Sequence, residues 1–143
     1  MTDPIPSRRA RLLRLFAAGL AGAMLTGCAS LAPKTPEDAV RERAQARWDA
    51  LLAGKFDEAY AYLSPGSRAV VSPQRFRSSI GAAAAWKSAK VHSVTCAQAD
   101  RCKVTMLVSY APMVRAREIG TIETSIDETW LLDQGQWWLP QGL

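Results

Sequence analysis

A change in hydrophobic period near Trp86 is the feature that most constrains the fold of this chain. Between Thr35 and Gly81 the apolar residues recur three or four positions apart, which is typical of helices. After Trp86, Val, Thr and aromatic residues alternate with polar ones, which is typical of strands. Helices followed by consecutive strands predict one α+β domain, with N-terminal helices packed on one side of a curved antiparallel sheet.

The helical half divides at capping and breaking residues. Thr35-Pro36-Glu37-Asp38 has an N-cap residue, a proline in the first turn and acids at the positive end of the helix dipole, so a first helix is predicted from Thr35 to Gly54. We predict a second, short helix over residues 55–63. A short strand is predicted over 67–71, and Ser72-Pro73 is predicted to open a third helix that ends at Gly81.

The strand half reads as a meander of four strands. The first is predicted from Trp86 to about Cys96, and the last over residues 137–140 after a turn at 133–136. In the second strand, alternate residues are predicted to lie on one face of the sheet: Cys102, Val104, Met106, Val108 and Tyr110. The third strand is predicted from about Ile119 to Leu132. Its alternate residues also share one face: Ile122, Thr124, Ile126, Glu128, Trp130 and Leu132.

The N-terminus has the pattern of an export signal. Arg8, Arg9 and Arg11 precede, and Arg14 lies within, a mainly apolar run over residues 12–25 that is too short to cross a membrane. Arg8-Arg9 loosely resembles a twin-arginine signal, but residues 10–13 fit that pattern poorly, so the general secretory route is favoured. The run ends in Leu25-Thr26-Gly27-Cys28, which resembles the lipobox of bacterial lipoproteins.

The lipobox resemblance implies a lipid anchor on Cys28. In that family the thiol receives diacylglycerol, the signal is cut before the cysteine, and the new amine is acylated, commonly with palmitate. The implied organisation is a signal peptide over 1–27, a lipidated tether over 28–34 and a single domain over 35–143. Ala29, rather than Asp, after the cysteine implies the outer membrane, with the domain facing the periplasm. No cofactor other than this covalent lipid is predicted.

Charge argues against a nucleic-acid-binding protein once the signal is removed. Four of the 18 Lys and Arg residues and one of the 13 acids precede Cys28, which leaves 14 basic and 12 acidic groups, a net charge of +2. The basic balance of the whole chain is thus largely a property of the predicted signal, and we expect no nucleic-acid partner.

The two remaining cysteines are expected to pair. Cys96 and Cys102 flank five residues, AQADR, that suit a turn, and the predicted compartment is oxidising, so a disulfide across a hairpin is favoured. The alternative is a metal site shared with His92. Three ligands are unusual for structural zinc and no convincing fourth lies nearby in the sequence, so no metal is predicted.

The domain resembles the nuclear transport factor 2-like superfamily, a cystatin-like cone. The resemblance rests on RWDALLAGKFDEAYAYLSP (residues 47–65) and DETWLLDQGQWWL (residues 127–139). It implies a strongly bent sheet that closes over a pocket. Members include isomerases, cyclases and dehydratases as well as non-catalytic binding domains of the bacterial envelope.

Candidate pocket residues follow from this resemblance. In its catalytic members a carboxylate or histidine acts as base beside Tyr or Trp donors, so the candidates are Glu128, Tyr60, Tyr110 and His92. For Glu128 the alternative is a structural ion pair with Arg43 or Arg47, and for His92 it is a place on the surface. The favoured function is a non-catalytic domain that binds an envelope protein or a small hydrophobic ligand. A pocket enzyme acting on a hydrophobic small molecule, with Glu128 as acid or base, is the alternative.

Overall fold

The computed structural model describes residues 34–81, 86–111 and 120–140. In these ranges four helices precede four strands, in the order α1 (Pro36–Leu52), α2 (Phe56–Tyr60), α3 (Pro65–Val70), α4 (Pro73–Gly81), β1 (Trp86–Gln98), β2 (Arg101–Tyr110), β3 (Ile122–Asp133) and β4 (Gln136–Trp138). The predicted signal peptide, Cys28 and the tether up to residue 33 lie outside the described residues.

Helix α1 begins and ends at the predicted signals. The Thr35 hydroxyl accepts a hydrogen bond from the Asp38 amide at 3.1 Å, and Pro36 occupies the first turn, where no amide donor is needed. After the helix, Gly54 adopts a positive φ of 71°, which a residue without a side chain tolerates best. The buried face of α1 combines apolar residues with one arginine: Val40, Ala44, Arg47, Trp48, Ala50 and Leu51.

The predicted strand over residues 67–71 is wrong, because residues 67–70 belong to helix α3 and Val71 is its C-cap. The Ser64 hydroxyl accepts from the Ser67 amide at 3.1 Å, and Pro65 occupies the first turn. This cap outweighs the strand preference of the valines at the end of the segment. The predicted third helix is present as α4 and buries Phe76 and Ile80.

The strands form one antiparallel sheet in the order β1-β2-β3-β4, so the α+β fold class is confirmed. The sheet is open at both ends of this order and does not close into the expected cone. On β2 four residues of the predicted face have no solvent exposure: Cys102, Val104, Met106 and Val108. On β3 only the middle of the predicted face is covered, where Glu128 and Trp130 are buried, while Ile122 and Leu132 are exposed.

The two edge strands of the sheet, β1 and β4, have different hydrogen-bonding partners. On the β1 edge, the Gln45 side chain takes the place of a neighbouring strand: its Nε2 donates to the Ala89 carbonyl at 3.1 Å and its Oε1 accepts from the Val91 amide at 3.0 Å. On the other edge, β4 pairs only with residues 131–133 of β3. Leu139 then leaves the sheet and forms a parallel bridge with Leu63, which fixes the end of α2 to the sheet.

The β1–β2 hairpin carries the predicted disulfide between Cys96 and Cys102. The Cys102 end of this bond is buried with the core residues of β2, whereas the turn that it spans is exposed. The alternative assignment of the two cysteines to a metal site with His92 is therefore wrong, because both sulfur atoms are used in the covalent bond. Across residues 34–81, 86–111 and 120–140, no helix is long and apolar enough to span a bilayer.

Candidate functional site

The candidate site is a cavity of about 450 Å³ between α1, α4 and the middle of β3. Half of its lining residues are apolar, and its floor carries the ion pair of Arg47 and Glu128. The lining residues are Arg47, Leu63, Phe76, Ser79, Ile80, Asp127, Glu128, Thr129, Leu139 and Pro140. An apolar pocket with a few convergent polar groups is the usual form of a small-molecule site.

Glu128 accepts three hydrogen bonds at the floor of this cavity. Its Oε1 accepts from Arg47 Nη1 at 2.6 Å and from the Trp48 indole nitrogen at 2.8 Å, and its Oε2 accepts from the Trp130 indole nitrogen at 3.1 Å. The side chains of Arg47 and Glu128 are 10% and 7% exposed. The expected structural ion pair of Glu128 is therefore present, with Arg47 as its partner.

Local structure explains how these four groups meet. Glu128 and Trp130 are two positions apart on β3 and so share the face that packs on the helices. On α1, Arg47 and Trp48 belong to the same buried face. Burial lowers the pKa of Arg47, and the charge and hydrogen bond of Glu128 act against that shift. Burial of an arginine is tolerated here because its counter-ion is buried with it.

The arrangement favours binding over proton transfer. A catalytic carboxylate needs a lone pair or a proton within reach of the substrate. Both oxygens of Glu128 are engaged by donors from the protein, and one of those donors is a guanidinium group. Arg47 also lines the cavity, and its Nε is buried without an acceptor among the described residues. The site thus offers a donor to a ligand more readily than it offers a base.

The other candidate residues do not join Glu128. The Tyr60 hydroxyl donates to the Val71 carbonyl at 2.6 Å and its ring packs edge-on against Phe76, so it holds α2 to α4. His92 is exposed on β1, as its surface interpretation predicted. Tyr110 is half-buried at the far end of β2, opposite Ile122. Neither His92 nor Tyr110 lines the cavity.

Sequence reasoning missed the two indole donors to Glu128. Trp130 could have been predicted as a donor to Glu128, because the alternation of the third strand places both residues on the same face. Trp48 could not, because its contact with Glu128 joins residues 80 positions apart. In the part of the chain that the structure describes, no group of His, Cys, Asp or Glu residues is arranged to hold a metal ion.

Comparison with known proteins identifies the fold alone. No protein-family model and no curated protein sequence matches the chain. The structure is similar to that of a SEC-C motif containing protein from Psychrobacter arcticus, with a TM-score of 0.58, 12% identity, and coverage of 73% of this chain and 60% of that one. The chain thus spans about three fifths of the length of that protein. A SEC-C motif containing protein from Rhodopseudomonas palustris is matched with a TM-score of 0.47, 18% identity, and coverage of 76% and 77%.

The first of these neighbours corrects the expected resemblance. It is a SEC-C motif containing protein rather than a nuclear transport factor 2-like domain. The expected resemblance rested on the junction between the first two helices (residues 47–65) and on a tryptophan-rich strand segment (residues 127–139). Such local features arise wherever helices precede and cover an antiparallel meander, so they do not distinguish one family from another. The lipobox residues lie outside the described part of the chain, and lipidation of Cys28 stays a prediction.

Proposed function

We propose that this protein is a lipid-anchored binding protein of the bacterial envelope, whose domain holds a small, mainly apolar ligand without transforming it. The observation that carries the proposal is the cavity floor, where three protein donors occupy the carboxylate of Glu128. A pocket enzyme that uses Glu128 as acid or base is less well supported for the same reason. An envelope protein partner is the other ligand class that this proposal includes.

The cavity suggests the chemistry of the ligand. Leu63, Phe76, Ile80 and Leu139 supply apolar surface, and Arg47 is the one cation among the lining residues, paired with Glu128. As a cation in the lining, Arg47 can donate a hydrogen bond to one acceptor on the ligand. We therefore propose a ligand with an apolar body and one acceptor group, such as a sulfonate, carboxylate or carbonyl oxygen.

A fluorescent probe of this chemistry tests the pocket. Anilinonaphthalene sulfonate combines an aromatic body with an acidic acceptor, and we expect one molecule to bind the purified protein saturably. Ser79 lines the cavity, so Ser79→Trp should fill it and weaken binding at least tenfold. Ser78→Trp is the matched control, because Ser78 is exposed next to Ser79 and does not line the cavity. Equal binding by both variants would rule out the cavity as the site.

The location is proposed from residues 25–28 and from the disulfide. A thioether-linked diacylglycerol and an N-acyl group on Cys28 together anchor a protein stably, since two or more chains are needed for lasting attachment. A disulfide within the domain is consistent with an oxidising compartment such as the periplasm. We therefore place the domain at the periplasmic face of the outer membrane, held there by the anchor.

Replacing the anchor residue tests this location. We expect Cys28→Ser to leave an uncleaved precursor or a form released from membranes, while wild-type protein stays in the membrane fraction after a high-salt wash. Ala29→Asp should keep the lipid but shift the protein towards the inner membrane, which density-gradient fractionation would detect. If Cys28→Ser partitions with membranes at the wild-type level, the anchoring proposal fails.

A further inference from the structure

Trp138 contacts two arginines on the side of the domain where α1, α2 and β4 meet. The guanidinium carbon of Arg43 lies 5.5 Å from the Trp138 ring centroid and 5.0 Å from that of Tyr62. The guanidinium carbon of Arg68 lies 5.4 Å from the same Trp138 ring. These four residues are called the arginine–tryptophan cluster below. Stacking on an aromatic face fixes a guanidinium group while leaving its N–H edge available for other partners.

The two cations of the cluster lack counter-ions in the part of the chain that the structure describes. Arg47, Arg77, Lys34, Lys55 and Lys103 each pair with a carboxylate. Neither Arg43 nor Arg68 takes part in such a pair within residues 34–81, 86–111 and 120–140. Two arginines beside one ring, with no carboxylate paired to either in the described ranges, make this surface positively charged, and a bound anion would neutralise that charge.

Each cation is also held in place by the fold. Arg43 Nε donates to the Trp137 carbonyl at 2.8 Å, which leaves its terminal nitrogens without a described partner. The Nε of Arg68 is buried and has no acceptor among the described residues. Burial lowers the pKa of Arg43, and the interaction with Tyr62 acts against that shift. The terminal nitrogens of Arg43 therefore remain available as charge-assisted hydrogen-bond donors to an anion.

The surface beside the cluster has room for a ligand. A depression of about 350 Å³ is lined by Arg43, Glu58, Ala61, Tyr62 and Gln136. Glu58 is the acid in this lining, and its carboxylate pairs with Lys55 at 3.1 Å. Gln136 can add an amide donor at the other side. The depression thus has Arg43 and Tyr62 of the cluster in its lining, while Arg68 and Trp138 lie outside it.

We propose that the arginine–tryptophan cluster is a binding site for a phosphate group, separate from the apolar cavity at Glu128. A phosphate group has at least two unesterified oxygens and one or two negative charges, so it can accept from two guanidinium groups, whereas a carboxylate fits a single arginine fork. The phosphate belongs either to a soluble metabolite or to a phospholipid headgroup. A phosphate monoester presents three unesterified oxygens and a phospholipid diester two, and both kinds of group are hydrogen-bond acceptors for Arg43 and Arg68.

Titration of the purified full-length protein with three probes tests the site and separates the sources. The probes are inorganic phosphate, glycerol 3-phosphate, and dihexanoyl phosphatidylglycerol below its micellar concentration. We expect saturable binding of at least one probe by calorimetry at physiological salt. A soluble phosphate source predicts tighter binding of the first two, and a lipid source predicts tighter binding of the third.

Charge-removing variants tie the binding to the cluster. Arg43→Gln and Arg68→Gln should each weaken binding at least tenfold, and Trp138→Leu should weaken it by releasing both guanidinium groups. Arg75→Gln is the matched control, because Arg75 is exposed on α4, forms no described ion pair and lies outside the cluster. The proposal is overturned if no probe binds saturably, or if Arg75→Gln weakens binding as much as the cluster variants.

Discussion

Replacing Glu128 with alanine should lower the free energy of unfolding of this protein by about 3–5 kcal/mol, the range found when one partner of a buried ion pair is removed. The variant leaves Arg47 charged and buried, with its side chain 10% exposed in the wild-type structure. It also removes the acceptor of the Trp48 and Trp130 indole groups. Urea denaturation followed by tryptophan fluorescence measures the loss.

Two further variants show whether the loss comes from the unpaired charge. Arg47→Leu combined with Glu128→Leu should be much less destabilised than Glu128→Ala, because no buried charge is then left without a partner. Glu123→Ala is the matched control on the same strand, since Glu123 is exposed, and it should change stability by less than about 0.5 kcal/mol. A loss below about 1 kcal/mol for Glu128→Ala would contradict the structural role assigned to this residue.

Shortening Leu63 to alanine should cost about 2–5 kcal/mol of unfolding free energy, as is typical of Leu→Ala changes in a packed core. Leu63 is 1% exposed, lies at the parallel bridge with Leu139, and forms part of the wall of the candidate cavity. The same change should enlarge that cavity. We therefore expect a lower urea midpoint together with altered affinity for anilinonaphthalene sulfonate.

Leu132→Ala provides the matched control for this change in the core. Leu132 is 37% exposed near the end of β3, so the same three carbons are removed from a position that already contacts water. We expect its loss to be less than half of that for Leu63→Ala, because little cavity is created. Equal losses for the two variants would show that Leu63 is not the core residue that the structure indicates.

The fold class followed from local patterns, and the reasons are visible in particular residues. Thr35 and Pro36 act within one helical turn of each other, and the alternation of β2 is a property of neighbouring positions. The disulfide followed from an even pair of cysteines across a short turn. The exception was the segment at 67–71, where the Ser64 cap acts from outside the residues that suggested a strand.

Neither the family nor the functional site could be predicted from such local patterns. The segments at 47–65 and 127–139 suggested a closed cone, but sheet closure depends on how many strands pair and where the chain leaves the sheet. Here β4 pairs with only three residues of β3 before Leu139 crosses to Leu63. The point at which the chain leaves the sheet depends on contacts between residues far apart in the chain, so the local sequence of the strand does not predict it.

The sequence by itself determined the helix-then-strand order, the caps, the inward set of β2 and the pairing of Cys96 with Cys102, because each depends on residues close together in the chain. Only the tertiary structure decided which arginine neutralises Glu128, since Arg43 and Arg47 lie one turn apart on the same helix. Packing places Arg47 over Glu128, 81 positions away, and turns Arg43 towards Trp138. The physical reason is that helix rotation against the sheet is fixed by the sum of core contacts, and no single stretch of sequence contains that sum.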